Sequence, residues 1–191
     1  MAIVNDNIIT RFQRGRFGDI IYRVVGRLSI SSKAPDYSKI KWSPAQEANR
    51  MRFRDGMAYA RKAFEDPEKE KYYQNKARAG QHKFNMAVAD YMVKPIINEI
   101  DVENYKGEEG NLIRVDASDN YRVAGVIVMI LNAAGLLVES GMAVEYPYSG
   151  SGEWIYKTME PNPEWKGGKV VVRVTDSPGN NIQTFRVLGG G

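Results

Sequence analysis

Residues 168–187 read Gly-Lys-Val-Val-Val-Arg-Val-Thr-Asp-Ser-Pro-Gly-Asn-Asn-Ile-Gln-Thr-Phe-Arg-Val, and this stretch decides the fold of the back half of the chain. Val170, Val172 and Val174 recur at every second residue with Arg173 and Thr175 pointing the other way, the alternation of a strand with one buried face. Asp176-Ser-Pro-Gly-Asn180 then sets proline and glycine where a turn needs them, and Asn181–Val187 resumes as a partner strand. Working outward, the sequence from Ile96 onward breaks into short strands separated by Gly, Asn, Asp and Pro. They are expected at Ile96–Ile100, Asn111–Ala117, Tyr121–Leu131, Gly135–Ala143, Glu153–Met159, Gly168–Thr175 and Asn181–Val187.

That many strands in roughly 90 residues, with turn signals every 8–15, is the arithmetic of an immunoglobulin-like (Ig-like) sandwich over residues 96–191. The wording also resembles bacterial Ig-like and fibronectin-like modules. Residues 172–180 look like the penultimate strand and turn of such repeats, and residues 131–141, Leu-Asn-Ala-Ala-Gly-Leu-Leu-Val-Glu-Ser-Gly, look like their strand–turn–strand centre. The resemblance implies a fold, and it leaves the function open among spacers, adhesins, capsid decorations and enzyme accessories.

The front half is different in kind. Asp19–Val25 and Leu28–Ser32 are rich in β-branched residues and flank Gly26-Arg27, which predicts a β-hairpin. Ser43-Pro-Ala-Gln46 combines a cap, a first-turn proline and a capping-box partner, so a helix is expected to begin there. At 100° per residue Phe53, Met57, Ala60 and Phe64 form one stripe, about 60° wide, expected to face a core. Asp66-Pro67 opens a second helix, read as running unbroken to about Met92. Tyr73, Ala77, Gly80, Phe84, Ala87, Val88 and Tyr91 keep one phase along it, so Gly80 is read as a close-approach position and the two helices as an antiparallel hairpin.

Charge divides the chain at the same place. Residues 1–98 hold 19 Lys and Arg against 10 Asp and Glu, and residues 99–191 hold 8 against 13, so a net +4 conceals a front of +9 and a back of −5. With Lys94-Pro95 as the break, the expected domains are residues 1–95, a basic β-hairpin and helical region, and residues 96–191, the sandwich. Arg11-Phe-Gln-Arg14-Gly-Arg16-Phe-Gly sets Arg11, Arg14 and Arg16 with two aromatics on a flexible segment, suited to phosphates or to an acidic protein surface. Arg50, Arg54 and Arg61 fall beside the stripe of the first helix, within about 40° of one another, as a snorkelling rim or a phosphate-binding ridge.

Asp66-Pro-Glu-Lys-Glu-Lys-Tyr-Tyr-Gln-Asn-Lys-Ala-Arg78, running on to Ala89-Asp90-Tyr91, resembles the last helix of an HMG box, and the likeness implies DNA binding. HMG boxes carry three helices in an L and an apolar wedge for the minor groove, whereas here a hairpin precedes two helices and no wedge is placed. Taken whole, the chain is similar to bacterial and phage-associated proteins with a basic N-terminal hairpin, helices and an Ig-like tail.

The residue inventory narrows the chemistry. There are 191 residues, 43% hydrophobic and 26% charged, with no cysteine and one histidine, His82. Disulfides, thiolate metal sites, thiol nucleophiles and any mechanism using two imidazoles are excluded. Helical spacing gives His82 no carboxylate or second ligand, there is no Gly-x-Ser-x-Gly elbow, and the Gly-x-Gly occurrences lack a strand-to-helix setting. Asp101, Glu103, Glu108 and Glu109 match no EF-hand spacing and read as a solvated linker. Tyr146, Tyr148, Trp154, Tyr156 and Trp165 are the material of a carbohydrate platform or, more simply, of a core and paired strands. No catalytic residue, cofactor or metal ligand is therefore assigned, and a small-molecule ligand is not expected.

No apolar run reaches a membrane span, and residues 1–6 have neither the basic nor the apolar region of a signal peptide. A cytoplasmic chain is expected, with assembly into a virion or secreted particle left open. The expected class is α+β and the expected role non-enzymatic: a structural or assembly protein that binds other proteins, itself included, through the sandwich and the basic arm. The alternative is a nucleic-acid-associated protein using the basic half. The opposite charges imply that the two halves dock on one another, or that the back of one copy meets the front of the next.

Overall fold

The computed structural model describes residues 2–3, 13–25, 28–38, 40–77, 80–148 and 150–189. They are α+β, with three helices and three four-stranded antiparallel sheets among the described residues. The chain divides by contact into two compact units, Met1–Glu47 and Ala48–Gly191. Lys94-Pro95, the boundary read from the sequence, falls inside the second unit, where Pro95 is buried.

In the first unit β1 (Ala2–Ile3), β2 (Gly15–Phe17), β3 (Ile20–Val25) and β4 (Leu28–Lys33) form one sheet in the order β1-β4-β3-β2. Its centre is the expected hairpin, with Val25 opposite Leu28 and Ile20 opposite Lys33. The turn assigned to Gly26-Arg27, and Arg11 of the arm, lie outside the described residues. The rest of the arm is not a free segment: Gly15–Phe17 folds back onto β3, with Arg16 opposite Ile21.

α1 (Pro44–Ala63) starts with a capping box. The Ser43 amide donates to Gln46 Oε1 at 2.9 Å, and the Gln46 amide donates to Ser43 Oγ at 3.3 Å. α2 (Pro67–Lys76) is capped by Asp66, whose Oδ1 accepts from the Glu68 amide at 3.0 Å. The single long helix expected from Pro67 to Met92 is instead two. α2 ends at Lys76, and α3 (Lys83–Met92) begins at His82, whose Nδ1 accepts from the Phe84 amide at 3.2 Å. Gly80 lies between them at φ +84°, in the left-handed region that ends helices, and a Cβ there would meet nothing within 4 Å. The close approach is at Gly56, where a Cβ would come within 3.2 Å of the Tyr91 ring. Ala60, Ala63, Tyr73, Ala87 and Val88 form the helical core, with Met57 and Phe64 half-buried at its edge and Phe53 turned out, 50% exposed.

The remaining strands are β5 (Ile96–Asp101), β6 (Leu112–Ser118), β7 (Val123–Leu131), β8 (Leu137–Met142), β9 (Val144–Glu145), β10 (Glu153–Lys157), β11 (Lys169–Asp176) and β12 (Asn181–Val187). All but the short β9 match expected strands, with ends moved by two residues at most. They make two antiparallel sheets, β5-β6-β10-β9 and β12-β11-β7-β8. Both sheets turn alternate side chains into one core: Ile113 and Val115 from β6, Trp154 and Tyr156 from β10, Val126, Val128 and Ile130 from β7, Val170, Val172 and Val174 from β11. Each such aliphatic side chain contributes about 1.5–3 kcal/mol on burial, which makes this the dominant core of the second unit.

The helices join that core at one end. Asn180, in the β11–β12 turn, donates its side-chain amide to the Tyr91 and Val93 carbonyls, each at 3.1 Å, and Asn120 in the β6–β7 turn donates to the Ala89 carbonyl at 3.3 Å. These are carbonyls at the end of α3, which a helix leaves without partners of its own. Among the described residues no helix is long and apolar enough to cross a membrane.

Candidate functional site

Two groups of carboxylates stand out in the second unit, one on the outside of a sheet and one at the end of α3. The first follows from strand register. On β5, β6 and β10 the exposed residues Glu99, Asp116 and Glu153 fall directly opposite one another, Glu99 against Asp116 and Asp116 against Glu153. Like charges opposite each other on neighbouring strands destabilise a sheet. The row is softened by Asn98, which donates to Asp116 Oδ1 at 3.1 Å, while neither of the described ion pairs, Lys83 with Glu70 and Arg54 with Asp55, involves it. With Asp101, Arg114 and Tyr146 these three acids line a surface hollow of about 200 Å³. The arrangement is suited to hold a basic group from outside.

The second group is internal. Asp90 on α3 is fully buried, Asp176 at the end of β11 is 2% exposed, and Asp119 after β6 is half-buried. One carboxylate oxygen from each lies within 4.8 Å of the others. Asp90 Oδ2 accepts from the Tyr73 hydroxyl at 2.5 Å, and the Tyr59 hydroxyl lies 2.8 Å from that of Tyr73. Asp119 Oδ2 accepts from the amides of Tyr121 and Arg122, at 3.0 and 3.1 Å. Asp176 accepts from Asn180 at both oxygens, from its amide at 2.6 Å and from its side chain at 2.7 Å. Asp90 Oδ1 and Asp119 Oδ1 are shut off from water and accept from no group. Burial raises the Asp90 carboxyl to about 7, with Asp119 and Asp176 adding to the rise and Tyr73 opposing it. Asp176 is raised in the same direction, again by burial first.

The residues singled out in the sequence are dispersed. Arg14 and Arg16 are exposed at β2, with Arg16 Nε donating to the Gly18 carbonyl at 2.9 Å and Phe17 beside them 80% exposed. Arg50, Arg54 and Arg61 are exposed on α1, and Arg54 approaches Asp55 at 3.7 Å. The five aromatics do not make one surface. Tyr146 and Tyr148 are exposed, whereas Trp154 and Tyr156 are in the sandwich core and Trp165 packs edge-on to Tyr105, 6.0 Å between centroids. Glu103, Glu108 and Glu109 are exposed, and Asp101 Oδ1 accepts from the Glu103 amide at 2.9 Å as a local turn.

Sequence reading did not find Asp90, Asp119 or Asp176. A signal was present in the alternation. The inward residues of β11 run Val170, Val172, Val174 and then Asp176, and those of β6 run Ile113, Val115, Ala117 and then, just past the strand, Asp119.

Compared with known proteins, the chain matches no family model, no curated protein and no solved structure.

Proposed function

We propose that the chain is a non-enzymatic structural or assembly protein, in which an Ig-like sandwich over residues 96–188 binds the basic first unit of another copy. The Ig-like reading is supported by strand order. Lettered A to G from β5, with β8 as C′ and β9 as D, the sheets run A-B-E-D and G-F-C-C′, the order of immunoglobulin-like domains.

The observation that carries the binding reading is the row Glu99–Asp116–Glu153. A line of like charges that weakens its own sheet gains a purpose if a cationic partner lies on it. The chain supplies one. Met1–Glu47 holds 8 Lys and Arg against 4 Asp and Glu, while Ala48–Gly191 holds 19 against 19, so the net +4 resides in the first unit. There Arg14, Arg16 and the 80% exposed Phe17 stand together, and Tyr146 at the rim of the acidic hollow is 57% exposed. Exposed ion pairs contribute about 0–1 kcal/mol each, so charge steers the contact and the two aromatic rings add apolar area. A contact between different faces of successive copies is head-to-tail and builds rings or filaments.

Light scattering of purified full-length protein across a concentration series tests this. At low salt the mass exceeds that of one chain, and it falls as salt rises. Arg11→Glu, Arg14→Glu and Arg16→Glu together return it to one chain with an unchanged circular dichroism spectrum. A strictly monodisperse monomer at high concentration and low salt overturns the reading.

A second reading, nucleic-acid association, is favoured by one observation: Arg50, Arg54 and Arg61 are all exposed along α1. It predicts a mobility shift of DNA or RNA by the full chain, with log affinity falling linearly in log salt. No shift at low salt removes it.

A further inference from the structure

We propose that Asp90, Asp119 and Asp176 hold a hard divalent cation of the calcium class, fastening the end of α3 to the β6–β7 and β11–β12 turns. The proposal is independent of the assembly reading. Three elements far apart in sequence bring one carboxylate oxygen each to within 4.8 Å of the others. Oxygens bound to one ion at calcium's ~2.4 Å lie at most about 4.8 Å apart, so the spacing of the three is compatible with a shared ion once they draw in slightly around it.

The second observation is the unpartnered oxygen. Asp90 is fully buried, and its Oδ1 accepts from nothing, although its other oxygen is held by Tyr73. Asp119 Oδ1 is in the same state. An ionised carboxylate is acceptor-only, so two buried oxygens without donors, in a group of three acids, are suited to a cation. The side-chain donors bonded to the cluster are already committed, Tyr73 to Asp90 and Asn180 to Asp176 and to the α3 carbonyls, while Lys76 and Arg122 line the cavity beside Asp119 without a described bond to it. Oxygen donors without nitrogen or sulfur select calcium, magnesium or manganese over zinc.

Asp119, the most exposed of the three acids, lies on the wall of a cavity of about 420 Å³, beside Tyr72, Tyr121 and Arg122. A bound divalent ion would offset two of the three negative charges and bridge helix to sandwich at the same joint that Asn120 and Asn180 hold by hydrogen bonds.

The test uses full-length protein stripped with a chelator, then titrated with terbium and calcium. Tyr73 donates to one of the ligands and Tyr121 borders another, so terbium in the site gives tyrosine-sensitised emission that calcium displaces. The thermal midpoint rises with calcium concentration, as mass action requires of a ligand bound only to the folded state. Asp119→Asn weakens both responses by ~10-fold or more, because affinity follows ligand charge, while Glu160→Gln, at an exposed acid outside the cluster, leaves them unchanged. Absence of any calcium-dependent rise in the wild-type midpoint at millimolar calcium overturns the proposal. So does a terbium signal of equal strength in wild type and Asp119→Asn.

Discussion

Tyr73 donates its phenolic proton to Asp90 at 2.5 Å, with Tyr73 1% exposed and Asp90 fully buried. This bond joins α2 to α3 inside the helical core, and the Tyr59 hydroxyl, 2.8 Å from Tyr73, extends it to α1. Tyr73→Phe leaves Asp90 without its described donor, so urea unfolding should show a loss of about 2–3 kcal/mol, more than a neutral hydrogen bond is worth. Tyr59→Phe removes only the outer hydroxyl and should cost about 0.5–1.5 kcal/mol. Equal losses for the two would show that Asp90 does not depend on Tyr73.

Asn180 fastens the same region from the sandwich side, donating to the Tyr91 and Val93 carbonyls at 3.1 Å and to Asp176 Oδ2 at 2.7 Å. Asn180→Ala should cost about 1–3 kcal/mol and speed amide exchange in α3 before any change in β7 or β11. Its exposed neighbour is the control: Asn181→Ala stays within about 0.5 kcal/mol of wild type. Uniform acceleration of exchange across both cores would contradict a local fastening.

The Tyr156 phenol, 3% exposed, is pushed up to about 12 by burial first and then by its hydrogen bond to Glu139 Oε2, at 3.1 Å. A phenol raised on folding stabilises the protein fully below its unfolded value near 10, and that contribution disappears as pH rises through about 12. The stability lost across this window is roughly 2 kcal/mol. The difference in phenolate absorbance between wild type and Tyr156→Phe reads the titration directly. Glu139→Gln, which keeps an acceptor for the Met159 amide but removes the charge, brings the midpoint down towards 10. An unmoved midpoint would place the cause elsewhere.

Gly80 separates local from tertiary signals. Its φ of +84° costs another residue about 1–2 kcal/mol, although a Cβ there would meet nothing, so Gly80→Ala should lose that much stability through the backbone alone. Gly80→Asn should lose less, since asparagine tolerates the left-handed region. Equal stability of wild type and Gly80→Ala would restore the reading of one continuous helix.

Gly80 also shows where the sequence was legible. The phase of Tyr73, Ala77, Phe84 and Val88 survives the break, so periodicity reported a shared buried face and hid the turn within it. The strands were legible because Val170, Val172 and Val174 alternate into a core too apolar to be mistaken, and the turn residues bracket them. The carboxylate cluster was not, because Asp176 and Asp119 stand where turns begin and aspartate is an ordinary turn residue. Only the assembled fold puts Asp90 beside them. The acidic row was hidden for a related reason: Glu99, Asp116 and Glu153 are far apart in sequence, and cross-strand register alone aligns them.

If the acidic row of one copy receives the basic arm of the next, exchanging the charges of the two surfaces between chains decides which copies associate. One chain carries Glu99→Lys, Asp116→Lys and Glu153→Lys; the other carries Arg11→Glu, Arg14→Glu and Arg16→Glu. Sedimentation velocity at low salt should find each altered chain monomeric alone, and their mixture associated, because the unaltered arm of the first meets the unaltered row of the second and the reversed row meets the reversed arm. A mixture that stays monomeric while the wild type associates, or altered chains that associate alone as the wild type does, would show that the row and the arm do not meet.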